Sequence, residues 1–219
     1  MEKELDIGFL LEEVPKAVTQ SLDGVERVSA LVSAMKEFAH PDQKAAAAAD
    51  VNAALRSTLT VAHNELKHVA DVETDFADLP PVTCNIREIN QVFLNLLINA
   101  AHAVGETTKA TESKGLIRVC TARESNGVLI SISDTGCGIP ENIRDRVFDP
   151  FFTTKEVGRG TGQGLAIARS VVERHGGTIT FSSEVAKGTT FYVRLPWVSP
   201  VRDTDEFAAQ ESVPINGEG

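Results

Sequence analysis

The chain of 219 residues has few cysteines, no long apolar run and no excess of positive charge, and each shortage excludes a class of protein. Its three cysteines are an odd number, which fits a reducing compartment better than a disulfide framework. No apolar run approaches the length of a membrane span, and Met1-Glu2-Lys3-Glu4 lacks a signal-peptide pattern. The net charge of −10 argues against a nucleic-acid or anionic-membrane surface. We expect a cytoplasmic location, either for a whole protein or for the cytosolic part of a membrane-bound one.

One carboxylate stands out because of what surrounds it. The stretch Asp134-Thr135-Gly136-Cys137-Gly138-Ile139-Pro140 directly follows the apolar run 128–133. A buried strand therefore delivers Asp134 to its end, and the two glycines let the backbone turn away without blocking what the carboxylate faces. Such a carboxylate can accept a hydrogen bond from an exocyclic amine such as adenine N6. Surface turns use the same residues, so from this stretch alone an ordinary surface turn is at least an equally valid interpretation.

Three amides form a polar stripe on a helix that is otherwise apolar. Gln91, Asn95 and Asn99 are four residues apart, so they lie on one face. Unpaired amides are costly to bury. Amide oxygens can ligate Mg²⁺, which keeps phosphates and waters as its other ligands. Taken alone, the stripe fits equally well amides that hydrogen-bond within the protein.

Glycines alternate with other residues over 158–164, just before a predicted helix. Exposed backbone N–H groups and a helix N-terminus form an anion cradle that suits a triphosphate. Lys155 and Arg159 add positive charge on the same segment. The spacing is neither a Walker A pattern nor a Rossmann fingerprint, and a flexible glycine linker is the alternative.

Five stretches in this order resemble the N, G1, F, G2 and G3 boxes of the GHKL ATPase superfamily, specifically of bacterial two-component sensor histidine kinases: 91–100, 134–140, 148–155, 158–165 and 188–191. The resemblance covers about residues 50–196. It implies an α+β fold, a two-layer α/β sandwich of the Bergerat ATP-binding type. The sheet would be mixed and mostly antiparallel with five strands, and a long bundle helix would precede it.

The chain divides into three predicted regions. Residues 11–39 carry a heptad stripe, typical of a helix that packs against another helix. We therefore expect a partial dimerisation and phosphotransfer helix with its linker over 1–44, a catalytic domain over 45–196 and a disordered tail over 197–219. The short stretch 45–49 at the start of the catalytic domain is interpreted as linker sequence with some helical bias.

Local patterns predict the elements of the catalytic domain. Asp50 or Asn52 can cap the first helix, and Asn85 with Glu88 has capping-box spacing at the start of the asparagine helix. Helices are predicted over about 50–68, 85–104, 141–147 and 163–175, and strands over about 69–76, 116–122, 128–134, 178–183 and 189–195.

The resemblance implies roles for named residues. Asn95 is the metal ligand, and Gln91, Asn95 and Lys155 are the catalytic residues. The implied ATP-binding residues are Asn95, Asn99, Ala103, Asp134, Gly136, Gly138, Ile139, Phe148, Thr154, Lys155, Gly160, Thr161, Gly162, Gln163, Gly164, Leu165 and Thr189. Phe148, Phe151 and Phe152 are expected to anchor the segment before the glycines. ATP and Mg²⁺ are the expected cofactors.

The amide at position 91 bears on the reaction. Hydrolytic relatives such as DNA gyrase place a glutamate there to activate water, and an amide cannot act as a general base. We therefore expect phosphoryl transfer to a protein histidine rather than efficient ATP hydrolysis. None of the five histidines has the acceptor context of the family, and each is expected at the surface or at a helix end.

The expected partners follow from the same resemblance. They are the phosphoacceptor histidine helix of the same kinase, which we expect outside this chain, a response regulator receiver domain and a second copy in a full-length homodimer. No nucleic-acid partner is expected. Two alternatives remain open, namely a nucleotide-binding regulatory module without phosphotransfer and an ATP-driven clamp of the same superfamily.

Overall fold

The residues that this computed structural model describes are Val14, 46–108, 113–154 and 161–199. Two compact units divide the chain, residues 1–42 and 43–219. In the first unit only Val14 is described, as a helical and exposed residue. The predicted bundle helix over 11–39 otherwise lies outside the described residues, and so does the predicted tail from residue 200 onward.

Three α-helices, one 3₁₀ helix and seven strands make up the described part of the second unit. In chain order they are β1 (Ala47–Ala49), α1 (Val51–Leu66), β2 (Ala70–Phe76), β3 (Val82–Cys84), α2 (Ile86–Thr108), β4 (Gly115–Glu124), β5 (Gly127–Asp134), the 3₁₀ helix (Glu141–Arg146), α3 (Gly164–Arg174), β6 (Thr178–Glu184) and β7 (Gly188–Pro196). The asparagine helix α2 continues to Thr108, beyond its predicted end near Val104. Asp50 caps α1 by accepting a hydrogen bond from the Ala53 N–H.

Five of the strands form one twisted layer in the order β2-β4-β5-β7-β6. The β2–β4 pair is parallel, and the other three pairs are antiparallel. The helices pack on one face, and buried side chains of both layers form a single core. The predicted two-layer α+β sandwich with a mixed, mostly antiparallel five-stranded sheet is therefore confirmed.

Helix α2 lies across the sheet because one of its stripes is apolar. Its 23 residues include a buried set that recurs at helical spacing: Ile89, Val92, Phe93, Leu96, Leu97, Ala100, Ala101 and Val104. This stripe faces the core, and the amides of Gln91, Asn95 and Asn99 stay half-buried on the rest of the helix surface. The packing of α2 thus decides where the amides are presented.

A second, smaller sheet lies beside the first. Strand β1 pairs antiparallel with β3, and Val198 bridges Thr83 on the other side of β3. The Thr83 N–H donates to the Trp197 carbonyl at 2.9 Å, and the Ser199 N–H donates to the Thr83 carbonyl at 3.0 Å. Residues 47–49, interpreted from the sequence as linker, are thus a strand. The hydrogen-bonded fold also continues three residues beyond Pro196, since residues 197–199 lie on β3.

His175 joins the end of α3 to the start of α2. Its ring is fully buried, with Nε2 3.1 Å from the Asn85 N and Nδ1 2.8 Å from the Val171 carbonyl oxygen. Because the Asn85 N–H can only donate, Nε2 is the acceptor and Nδ1 carries the ring proton. The reciprocal capping box expected between Asn85 and Glu88 is therefore wrong. The Asn85 Oδ1 accepts from the Arg87 N–H at 3.3 Å, His175 accepts the Asn85 N–H, and Glu88 pairs with Arg174 at 2.9 Å.

Replacing His175 with Ala should lower the free energy of unfolding by about 2–4 kcal/mol, because it leaves the buried Asn85 N–H unpaired and opens a cavity. Urea unfolding followed by circular dichroism measures the change. The control is His68→Ala, because His68 is exposed and should shift stability by less than about 0.5 kcal/mol. Equal losses in the two variants would contradict the role of His175.

Candidate functional site

Asp134 is the last residue of β5 and is 6% exposed. The register sets it opposite Ile117 on β4 and opposite Thr189 on β7, and Thr189 lies opposite Ser183 on β6. Directly opposed residues on antiparallel strands project from the same face. These four side chains therefore form a row across the sheet, on the face that the helices cover. The row brings one carboxylate and two hydroxyl groups together.

The environment of Asp134 changes its acidity. Burial raises the pKa of Asp134 from 3.8 to about 6, while hydrogen bonds from the backbone N–H groups of Gly136 and Thr189 lower it in part. The Gly136 N–H lies 2.8 Å from Oδ1. At neutral pH most molecules hold this carboxylate ionised although it has lost most of its hydration. A further N–H donor placed against it would be strongly favoured.

The turn after Asp134 lies between α2 and the β6–β7 hairpin. A Cβ on Gly136 would come within 2.5 Å of the Ala103 carbonyl carbon, and the Cys137 N–H donates to the Ala103 oxygen at 3.3 Å. On the other side Gly138 has φ +71°, and a Cβ there would lie 2.2 Å from the Glu184 carbonyl oxygen. The backbone reaches both neighbours only because these two positions lack side chains.

The amide stripe on α2 reaches the start of α3. The Gln91 Nε2 donates to the Asn95 Oδ1 at 2.9 Å, and the Asn95 Nδ2 donates to the Gly164 carbonyl at 3.0 Å. Gln91 therefore orients Asn95, and Asn95 connects the two helices. Asn99 is half-buried one turn further along. Beside the bond from Gln91, the Asn95 Oδ1 has a second lone pair that a cation could use.

The segment before the glycines is held by one phenylalanine rather than three. Phe148 packs against Phe181 and Phe191, with ring centroids 6.0 and 6.5 Å away. Phe152 is half-buried and lies under the Arg146 guanidinium. Phe151 is 70% exposed and has φ +65°, so the prediction that it anchors this segment is wrong.

Helix α3 begins without a capping bond from the side chain of its N-cap residue. Its N-cap residue Gln163 makes no side-chain capping bond, so the N–H groups of the first turn have no cap from that side chain. Gly162 lies directly before Gln163 and contacts the backbone of Phe151. An N-terminus of this kind attracts an anion through its N–H groups and the helix dipole.

Most of the predicted site residues lie on the elements that surround Asp134. Helix α2 carries the predicted amides and Ala103, the turn carries Gly136, Gly138 and Ile139, and Thr189 lies beside Asp134. The remaining described members lie on the segments around the start of α3: Phe148, Thr154, Thr161, Gly162, Gln163, Gly164 and Leu165. Thr154 and Thr161 are exposed. Lys155 and Gly160, and also Arg159, lie outside the described residues.

Two residues that the sequence analysis did not single out contact the turn. The Ser183 Oγ accepts from the Ile139 N–H at 2.7 Å. The Arg144 guanidinium donates to the Ser183 carbonyl at 2.7 Å and to the Ile139 carbonyl at 3.4 Å. The two predicted strands over 178–183 and 189–195 could have indicated Ser183, since their antiparallel pairing sets Ser183 opposite Thr189.

The donor set around the amides suits one kind of metal ion. Within the described ranges there is no cluster of three or more His, Cys, Asp or Glu side chains that could hold an ion. Amide oxygens on α2 could supply one or two ligands, and phosphates and waters the rest, which is how Mg²⁺ is commonly bound with a nucleotide. Separately, none of the helices in the described part of the chain is both long enough and apolar enough to cross a bilayer.

These features are typical of a nucleotide-binding α/β domain: a buried acceptor at the end of a sheet, a helix N-terminus that its N-cap side chain does not cap, and an amide face on α2. The chain belongs to the family described as histidine kinase-, DNA gyrase B-, and HSP90-like ATPase, which it matches over residues 84–199, more than half of its length. The family that the resemblance indicated is thereby confirmed, and ATP is the nucleotide of the family.

Curated relatives place the chain near the sensor kinases. It is 34% identical to the sensor histidine kinase ZraS of Escherichia coli K12 over 78% of this chain and 35% of that protein. It is also 34% identical to the sensory histidine kinase/phosphatase NtrB of Azospirillum brasilense over 80% of this chain and 45% of that protein. The chain therefore spans less than half the length of these relatives.

Solved structures agree with the fold. The catalytic domain of the histidine kinase ThkA superposes with a TM-score of 0.61 at 26% identity, over 71% of this chain and 97% of that one. The mycobacterial sensor histidine kinase MprB gives 0.58 at 25% identity, over 69% and 97%. Nearly the whole of each solved chain is thus matched by part of this one.

Replacing Gly136 with Ala should disrupt the site, because the new methyl group collides with the backbone of α2 at Ala103. We expect a loss of about 2 kcal/mol or more in unfolding free energy, measured in urea. The control is Gly105→Ala on α2, where the nearest atom is Val69 Cγ1 at 3.4 Å. Alanine favours a helix interior by about 1 kcal/mol over glycine, so that variant should be neutral or more stable. Similar losses in both variants would refute the tight contact.

Proposed function

We propose that the chain binds Mg²⁺-ATP and transfers the γ-phosphoryl group to a histidine of a sensor kinase dimerisation hairpin. The observation that carries this proposal is the buried Asp134 carboxylate, which lies between the glycine turn and Thr189 on the side of the sheet that faces helix α2. The relatives named as sensor histidine kinases support it. Onward transfer from the histidine to an aspartate of a response regulator is part of the same proposal.

Asp134 would select the base. Its carboxylate would accept a hydrogen bond from the N6 amine of adenine. Guanine has a carbonyl oxygen at that position, so two acceptors would face each other. Ile139 and Ala103 would line the sides of the flat ring, and the close backbone contacts of Gly136 and Gly138 would hold the turn beside it. Because the carboxylate is buried, an unmatched base leaves it without the donor that offsets its lost hydration.

The metal and phosphates would lie toward α3. Asn95 would ligate Mg²⁺ through Oδ1, with Gln91 holding the amide in place and Asn99 supporting metal or phosphate. The ion would neutralise phosphate charge during transfer. The uncapped start of α3 from Gly162 to Leu165 would bind phosphate oxygens through backbone N–H groups. Roles for Lys155, Gly160, Thr154 and Thr161 stay predictions.

The proposed phosphoryl transfer needs this domain to position the reactants, and it does not need the domain to supply a general base. A histidine nitrogen attacks the γ-phosphorus, the bond to the β–γ bridging oxygen breaks, and ADP leaves. Gln91 cannot take a proton from water, so hydrolysis should be slow. That residue disfavours the clamp alternative. His175 is also excluded as an acceptor, since the ring is fully buried and both nitrogens are hydrogen-bonded.

The location and assembly of the whole protein belong to this proposal too. We infer a cytoplasmic domain of a homodimeric kinase, with a receiver domain as the phosphoryl recipient. The domain division at 1–44, 45–196 and 197–219 is proposed in the same sense.

The ratio of the affinity for ATP to the affinity for purine riboside triphosphate should rise roughly tenfold between about pH 5 and pH 7. That analogue carries the same phosphates but lacks the N6 amine. The amine favours the ionised carboxylate, so binding lowers the Asp134 pKa from about 6 and releases protons near that pH. Calorimetry in buffers of different ionisation enthalpy measures the release. Asp134→Asn should abolish it, and an affinity ratio that is constant across this range would contradict the assignment.

Labelled ATP should phosphorylate a supplied hairpin that carries an acceptor histidine, and should label this chain alone only weakly. The product should be acid-labile and alkali-stable, as a phosphohistidine is. Asn95→Ala should abolish transfer and weaken Mg²⁺-ATP binding more than binding in EDTA, because only the metal complex uses the amide oxygen. ATP binding without transfer to any hairpin would favour the regulatory module, and fast hydrolysis would favour the clamp.

A further inference from the structure

Ser183 lies at the end of the row that contains Asp134 and Thr189. Its Oγ is within hydrogen-bonding distance of three groups: the Ile139 N–H at 2.7 Å, the Thr189 Oγ1 at 2.9 Å and the Gly188 carbonyl at 3.1 Å. The side chain is half-buried. One hydroxyl group thus contacts the glycine turn and the residue beside the carboxylate.

The three contacts determine where the protons lie. A serine hydroxyl offers one proton and two lone pairs. The Ile139 N–H can only donate and the Gly188 carbonyl can only accept, so all three bonds form together in one way. Ser183 donates to Gly188 and accepts from both Ile139 and the Thr189 hydroxyl. The Thr189 proton then points at Ser183, and its lone pairs remain for the pocket.

We propose that Ser183 is a positioning residue that determines base specificity by fixing the Thr189 hydroxyl as an acceptor. Asp134 and Thr189 then present acceptors side by side. A purine with an amine at position 6 is bound directly or through a bridging water, and a purine with a carbonyl there is opposed by both. This inference rests on the proposed function, because it concerns the base of the same nucleotide.

Ser183 can be tested without dislodging the turn. The Arg144 guanidinium joins the Ser183 and Ile139 carbonyls, and the Ala186 N–H donates to the Cys137 carbonyl at 2.9 Å. All of these bonds use backbone carbonyls and none uses the Ser183 hydroxyl. Removing Oγ breaks the bond from the Ile139 N–H, but it leaves these other bonds between the turn and the hairpin in place. It also frees the Thr189 proton to rotate toward the pocket.

The experiment compares ATP and GTP affinity of the full chain by calorimetry. Ser183→Ala should lower the ratio of ATP to GTP affinity by on the order of tenfold, the effect of about one hydrogen bond. Ser183→Thr keeps the hydroxyl and should restore the ratio. The matched control is Ser182→Ala, because Ser182 is the exposed neighbour on the opposite face of β6 and should leave the ratio unchanged.

A double-mutant cycle tests whether Ser183 acts through Thr189. Thr189→Val should lower the ratio by itself, and adding Ser183→Ala to it should change the ratio no further. An equal loss of ATP and GTP affinity in Ser183→Ala, or the same ratio change in both backgrounds, would overturn the proposal. If Ser183→Ala does not fold, an unchanged ratio in Thr189→Val overturns it. A wild-type chain that binds neither nucleotide would refute the proposed function itself, a result distinct from an unchanged ratio.

Discussion

The close contact of the turn 135–139 with the backbones on either side of it determines the shape of the pocket. Gly136 lies against α2 at Ala103, and Gly138 lies against the carbonyl of Glu184 in the β6–β7 hairpin. Together these contacts fix the distance between the helix layer and the end of the sheet at Asp134. The carboxylate is buried because this gap is narrow, and its raised pKa follows from that burial. The raised pKa of Asp134 and the base recognition proposed for it therefore share one steric cause.

Local patterns in the sequence were sufficient to predict most of the fold. The alternating burial of β5 and β7 and the helical spacing on α2 are properties of single segments, so they can be read without a partner. Asp134 and the amide stripe were found in the same way, because each combines a polar residue with an apolar segment. The order of these segments along the chain then indicated the family.

Features that depend on distant partners were missed. The three alanines of β1 have no strand pattern, and they are extended because β3 pairs with them. His175 replaces Glu88 at the Asn85 N–H, although it lies 90 residues further along the chain. Phe151 was expected from its type alone to anchor its segment, whereas it is exposed and has a positive φ. Ser183 becomes significant only once the hairpin register is known.

The small sheet has a mechanical consequence. Strand β3 has β1, where the chain enters this unit, on one side and Val198, near where the described fold ends, on the other. Strand β1 and residues 197–199 are thus both hydrogen-bonded to one short strand, and that strand leads directly into α2. Asn85 is the one residue between β3 and α2, so both attachments lie next to the start of the helix that carries the amides and outside the five-stranded sheet. Because β1 and residues 197–199 pair with opposite sides of β3, the loss of one attachment leaves the hydrogen bonds of the other in place.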